Sequence, residues 1–252
     1  MPVLFVGHGS PMNAIEHNPI TAKWELVGET LPKPQAIVVI SAHWMTGGTH
    51  VTDTPKQKII YDMYGFPDEL YQYRYEADGD PVVAKLLTKY MHAYEAKLDS
   101  SWGLDHGTWS VLAHIAPKPD VPVLQISLDG NLSLGEQYEV FEALRPLRDK
   151  GVLFIGSGNI VHNLGALDFS KPALDFSLEF DDFSKNAIEG KNLAHLTEPS
   201  KFSAAFSMAV PTDEHYRPML ATMALLDKNE TVDFFVTDLM MGSISMRSFI
   251  SV

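Results

Sequence analysis

The sequence contains no cysteine. That absence excludes disulfides, thiolate nucleophiles, iron–sulfur clusters and Cys-based zinc sites. Any metal bound by this chain is therefore held by histidine, aspartate or glutamate. Long apolar runs are missing too. None approaches the ~18 residues of a membrane-spanning helix, and the first residues lack the basic lead and long apolar stretch of a secretory signal. The expectation is a cytoplasmic protein with no membrane attachment. Basic residues are scarce, 19 lysines and arginines against 32 aspartates and glutamates, for a formal net charge of −13. A phosphate backbone is met by a basic stripe, so nucleic acid is not an expected partner.

What is present suits a soluble globular domain. Hydrophobic residues are 45% and charged residues 20% of the chain, ordinary proportions for that class. A length of 252 residues allows a sizeable core. No linker, repeat or low-complexity tract interrupts it, so residues 1–252 read as one domain. Apolar, β-branched runs at 3–6, 36–40, 121–128, 151–155 and 232–236 read as strands, the continuous ones being buried on both faces. Helices are expected over 18–29, 80–92, 133–149, 174–192 and 219–226. Asp80 with Pro81, and Ser133 with Glu136, supply start signals. The aromatic stretch 45–75 and the Gly- and Trp-rich stretch 102–109 read as loops, the first long enough to suggest a lid or pocket wall. Residues 194–211 resist assignment. Strands alternating with helices indicate an α/β fold with a mostly parallel or mixed central sheet flanked by helices.

The histidines carry the chemistry. His8 sits between Gly7 and Gly9 directly after the first strand, and the flanking glycines permit φ > 0 and keep bulk from the imidazole. His43 follows the 36–40 run, and His162 follows Gly156-Ser157-Gly158 after the 151–155 run. Ligands bind at the carboxyl ends of strands in open α/β sheets, so these three converge on one edge and suggest a metal site there. Imidazoles with a carboxylate suit Fe(II), Zn, Mn or Ni. Neutral imidazole is the ligand form, so the site is expected to weaken below about pH 6. His106 and His215 also lie in Gly- or turn-rich contexts, whereas His17, His50, His92, His114 and His195 are expected in surface or packing roles. A Ser-His-Asp hydrolase is the rival reading, but neither Gly9-Ser10 nor Gly156-Ser157-Gly158 forms a Gly-x-Ser-x-Gly elbow. Dinucleotide and P-loop fingerprints are absent.

Five motifs together resemble one family: Gly-His-Gly-Ser-Pro-Met (7–12), Ile-Ser-Ala-His-Trp (40–44), Trp-Gly-Leu-Asp-His-Gly-Thr-Trp (102–109), Gly-Ser-Gly-Asn-Ile-Val-His-Asn (156–163) and Pro-Thr-Asp-Glu-His-Tyr-Arg-Pro (211–218). In this order, spanning nearly the whole chain, they are similar to the class III extradiol ring-cleavage dioxygenases, the LigB-like superfamily, and within it to the small 4,5-DOPA extradiol dioxygenases. The resemblance implies that His8 and His43 bind metal and that the third ligand is His215, with Glu214 as the alternative. It implies that His162 is an acid/base group able to lean in as a fourth ligand in a zinc-filled form, and that His106 is a second active-site histidine. Fe(II) is the implied working metal, with Zn(II) able to occupy the site. A catechol such as L-DOPA and dioxygen are the implied small-molecule partners. Trp44, Trp109 and Tyr216 are expected to contact the flat ring, with Trp102 and Phe66 nearby, and Arg217 or a lysine is expected to meet a substrate carboxylate. The alternative is a zinc-binding relative on the same fold without oxygenase chemistry. The sequence assigns no oligomeric state.

Overall fold

The computed structural model describes all residues, Met1–Val252. The first strand, β1 (Val3–Gly7), is buried along its whole length. Helix α1 (Pro19–Thr30) starts at an Asn18–Thr21 capping box, with Pro19 pre-set for the first turn. Next come β2 (Ala36–Thr46), β3 (His50–Thr52), α2 (Asp68–Gln72), α3 (Pro81–Tyr90), β4 (Lys97–Asp99) and α4 (His106–Ile115). Then follow β5 (Val123–Asp129), α5 (Leu134–Glu142), β6 (Val152–Gly158), α6 (Asp175–Glu189), α7 (Leu193–Thr197), α8 (Phe206–Ala209) and α9 (Arg217–Ala224). The chain ends in β7 (Val232–Val236), β8 (Leu239–Met240), β9 (Ile244–Ser245) and β10 (Ser248–Ser251).

Eight strands form one mixed sheet in the order β4-β3-β5-β2-β6-β1-β10-β7. Its centre, β5-β2-β6-β1, is parallel, while β10 and β7 add antiparallel strands at one edge. Alternate residues of each central strand face opposite layers, as strand geometry requires. Val3, Phe5, Val38, Ile40 and Phe154 pack beneath α5, α6 and α9. Leu4, Val6, Ile37, Val39 and Ile155 pack beneath α1 and α4. Burial on both faces explains why these strands read as continuous apolar runs.

Several segments differ from the sequence reading. Residues 102–109 are not all loop. Asp105 caps α4 by accepting from the Thr108 backbone N–H, so His106 opens a helix despite Gly107. The helix expected over 133–149 stops at Glu142, and a 3₁₀ segment with Pro146 near its start takes over at Arg145–Lys150; proline has no N–H for an α-helical bond there. The final residues, for which no element was expected, form β10 against β1. The stretch 45–75 holds the end of β2, β3 and α2, and its irregular part runs along the carboxyl edge of the sheet.

Candidate metal centre

Five histidines, His8, His43, His106, His162 and His215, and the carboxylate of Asp62 meet in one cavity of about 580 Å³ at that edge. Each comes from a different place. His8 follows β1 directly, with Gly9 at φ 60° in the turn, the left-handed region that favours glycine. Gly7 lacks a positive φ, and what it needs is room: a side chain there would lie 2.7 Å from the Met246 backbone. His43 lies on β2, His106 on the first turn of α4, His162 four residues past β6, and His215 two residues before α9. His215 reaches the sheet because Gly158 lets it. A methyl group at Gly158 would fall 2.2 Å from the His215 carbonyl, which instead accepts from Asn159 N–H at 2.8 Å.

The rings of His8, His43 and His215 form a nearly equilateral triangle, with centroids 5.0, 5.3 and 5.0 Å apart. Each has an oxygen at Nδ1. The Ser157 hydroxyl donates to the Gly107 carbonyl at 2.6 Å, so it accepts from His8 Nδ1 at 3.0 Å. Asp62 lies 3.4 Å from His43 Nδ1, and Glu214 accepts from His215 Nδ1 at 3.1 Å. Hydrogen bonds at Nδ1 of His8 and His215 leave their Nε2 lone pairs free. His8 Nε2 and His43 Nε2 stand 3.2 Å apart, where one proton or one cation joins them. Imidazoles held at Nδ1 are the usual donor set of a metal site. The chain's residues therefore fit a divalent metal.

The remaining two rings flank this triangle. His162 lies flat on His215, centroids 3.5 Å apart and planes within 8°. His106 stands 3.8 Å from His43 and 5.8 Å from His8, centroid to centroid. Its Nδ1 donates to Asp62 Oδ2 at 2.9 Å, and its backbone N–H donates to Asp62 Oδ1 at 2.9 Å. One ligand atom each of His8, His43 and His106 lie within 4.8 Å of one another, as do those of His162, Glu214 and His215.

Burial sets the protonation states. It drives His8 and His215 well below the usual imidazole value, helped by the neighbouring histidines. Burial and the adjacent His106 push His43 down to about 3, and burial pushes His162 down to about 4. Four imidazoles are thus neutral at pH 7, the ligand and proton-acceptor form. Proton competition for His43 and His162 falls well below the pH 6 expected from an unperturbed ring. Burial opposes ionisation of Asp62, yet the hydrogen bond and charge of His106 hold its carboxyl below the usual range. Behind the site, burial and the nearby Asp62 raise buried Asp105 to about 6. Its carboxylate is held by Ser41 at 2.8 Å and Gln125 at 2.7 Å.

The expected ring contacts are corrected. Trp44 follows His43 on a strand and so points to the opposite face, where it stacks on Trp102 at 5.6 Å. Trp109 lies on α4 and is fully buried, its indole N–H donating to the Ile60 carbonyl. Tyr216 is fully buried in the other layer, its hydroxyl donating to the Leu196 carbonyl. None of the three lines the cavity; Tyr64, Phe66 and Phe169 do. Arg217 is also removed from any substrate role, because its guanidinium is buried on Asp213 and on the Asp129 and Leu132 carbonyls. Asp62 carries no sequence signal. It is one carboxylate in an aromatic stretch, and only the fold reveals that it serves two histidines. Of the histidines expected in packing roles, His114 is buried between Glu25 and the Asn13 carbonyl.

A model of the family described as the catalytic LigB subunit of aromatic ring-opening dioxygenase matches residues 8–246. The chain is 38% identical to the 4,5-DOPA dioxygenase extradiol of Escherichia coli (strain K12), across 98% of this chain and 93% of that protein. It is 33% identical to the protein of the same name from Beta vulgaris, across 91% and 88%. The crystal structure of an uncharacterized protein from Escherichia coli K12 has the same fold, with a TM-score of 0.86 at 34% identity over 99% of both chains. No helix is long and apolar enough to cross a membrane.

Proposed function

This chain belongs to the LigB family of aromatic ring-opening dioxygenases, and from that premise we infer how its histidine pocket opens a catechol ring. The chain is a metal-dependent extradiol dioxygenase, acting on a small aromatic diol and dioxygen. We assign the metal to Nε2 of His8, His43 and His215. The triangle of their rings carries this choice, since His106 stands unequally from His8 and His43. Glu214 is assigned to orientation, its carboxylate already accepting from His215 Nδ1 and from Thr212. A metal held by these three residues would lower the pKa of the diol hydroxyls and bring ring and dioxygen to one centre. Fe(II) is the proposed working metal; zinc fits the same donors but is redox-silent.

The protein's own groups handle protons and position. His106 donates Nδ1–H to Asp62, so its Nε2 is free to take a proton from a diol hydroxyl, and the Asp62 carboxylate steadies the imidazolium that results. His162, neutral at pH 7 and stacked on His215, takes or returns a second proton on the other side. In a zinc-filled resting form its nearness to His215 allows it to serve as a fourth ligand. Met63, Phe66, Leu167 and Ile244 line the cavity and keep water from the ring. The relatives' name makes L-DOPA the first diol to try, with 4,5-cleavage to a semialdehyde.

Elemental analysis of purified variants tests the ligand set. His8→Ala, His43→Ala and His215→Ala lose bound metal, and Glu214→Gln keeps it. Metal retained in His215→Ala and lost in Glu214→Gln would exchange those two roles.

A further inference from the structure

A second set of donors lies outside the catalytic cavity, where α1 packs on α4. One donor atom each of His17, Glu25 and His114 lie within 4.8 Å of one another. Glu25 Oε1 faces both rings, 2.8 Å from His114 Nδ1 and 3.4 Å from His17 Nδ1. The two imidazoles stand edge to face, with centroids 5.7 Å apart.

The helices hold this set in place. Gly28 lets them approach, since a methyl group there would fall 2.3 Å from the Ile115 carbonyl oxygen. Glu25 lies on α1 three residues before Gly28, and His114 lies on the last turn of α4. His114 Nε2 donates to the Asn13 carbonyl at 2.5 Å. A carbonyl can only accept, so Nε2 carries the hydrogen and Nδ1 is the atom turned toward Glu25. A carboxylate oxygen and Nδ1 at 2.8 Å are joined by one proton or one cation. A proton would make His114 an imidazolium on a side chain only 4% exposed, a costly place for a charge. It would also leave His17 without a role. A divalent ion uses all three donors. Tetrahedral zinc, about 2.0–2.2 Å from each ligand, sets its ligands roughly 3.3 Å apart, and the two measured separations bracket that value. A ring held by a carbonyl at its other nitrogen is the usual form of a metal-bound histidine. No lysine or arginine competes for Glu25; Lys23 on the same helix pairs with Asp238.

We propose that His17, Glu25 and His114 form a second divalent-metal site, which clamps α1 to the end of α4. Two imidazoles and one carboxylate suit zinc, with water in the fourth position. The site is separate from the catalytic histidines. Asn13 lies between the two, because its carbonyl holds His114 while its side-chain amide donates to the His8 carbonyl at 2.9 Å.

The test is titration of metal-free protein with zinc chloride by calorimetry, with the stoichiometry counted by equilibrium dialysis. His17 and Glu25 are open to solvent, so the outer ion exchanges and is counted at equilibrium with free zinc rather than after purification. Wild-type protein binds two zinc ions per chain. His17→Ala, at a side chain 84% exposed and so harmless to the core, binds one, as does Glu25→Gln. His8→Ala keeps the outer ion, and His8→Ala/His17→Ala binds none. Thermal melts test the clamp. Zinc at a hundredfold excess over Kd raises the Tm of His8→Ala by about 5–10 °C and leaves that of the double variant unmoved. Two ions retained in both His17→Ala and Glu25→Gln overturn the proposal, as does a single wild-type ion that His8→Ala removes and His17→Ala keeps. A single wild-type ion with the opposite pattern supports the outer site and counts against the ligands assigned in the cavity, so the two readings fail separately.

Discussion

Each of the three proposed ligands owes its orientation to a partner that is not itself a ligand: Ser157, Asp62 or Glu214. Asp62 is the most heavily used, because it serves His43 and His106 together. Asp62→Asn keeps the protein folded but presents an amide where two Nδ1–H groups need acceptors. A loss of roughly 10- to 100-fold in kcat or metal affinity follows, read by steady-state turnover and metal titration; unchanged values would remove Asp62 from the site. His162→Ala separates proton transfer from metal binding. Its metal content stays full by elemental analysis, while kcat falls about 10²- to 10⁴-fold. At this scale the histidines were legible and their partners were not. A glycine or a strand end marks His8, His43 and His162 in the sequence, whereas nothing near Asp62 announces a contact 44 residues away. The aromatics misled for a simple reason. Trp44 and Tyr216 adjoin pocket histidines, and adjacent residues in a strand or turn point to different sides.

The elements matter because three strand ends and two helix starts must meet. β1, β2 and β6 do so through parallel register, with Leu4 beside Ile155 and Val39 beside Ile155 on either flank. The strands were readable from their apolar runs, and α3 and α5 from their caps. Helix α4 was not, since Gly107 and two tryptophans hid the Asp105 cap that positions His106. The pairing of β10 with β1 was also invisible, because it depends on a partner at the far end of the chain. The contact between β6 and the segment leading into α9 is the tightest of these junctions. Gly158→Ala forces a methyl group onto the His215 carbonyl. Overpacking of this kind costs about 1–3 kcal/mol, a fall of several degrees in Tm for a chain of this size, roughly 2–4 °C per kcal/mol. Because His215 moves with it, metal affinity falls as well. A Tm drop with unaltered metal binding would show that the helix shifts without its histidine.

For the molecule as a whole, the buried neutral histidines link stability to pH. Unfolded, each ring titrates near 6.5; folded, His43 and His162 titrate at about 3 and 4. Between those values the unfolded chain holds more protons than the native one, so stability falls as pH drops from 6.5 toward 4. Each of the two rings contributes up to about 1.4 kcal/mol per pH unit in that window. Urea midpoints of metal-free protein therefore decline steeply from pH 7 to pH 4.5, and flat midpoints would contradict the depressed values. Bound metal stabilises the native state by mass action, so the same midpoints rise when Fe(II) or Zn(II) is added. The central claim, that this pocket opens a catechol ring through a redox-active metal, is met most directly by one measurement. Metal-free protein is reconstituted anaerobically with Fe(II), a catechol panel including L-DOPA and 4-ethylcatechol is added with air, and oxygen uptake is followed with the yellow semialdehyde. Uptake matched by yellow product, absent from a zinc-loaded control, is the predicted result. No uptake across the panel, with iron shown to be bound, would contradict it.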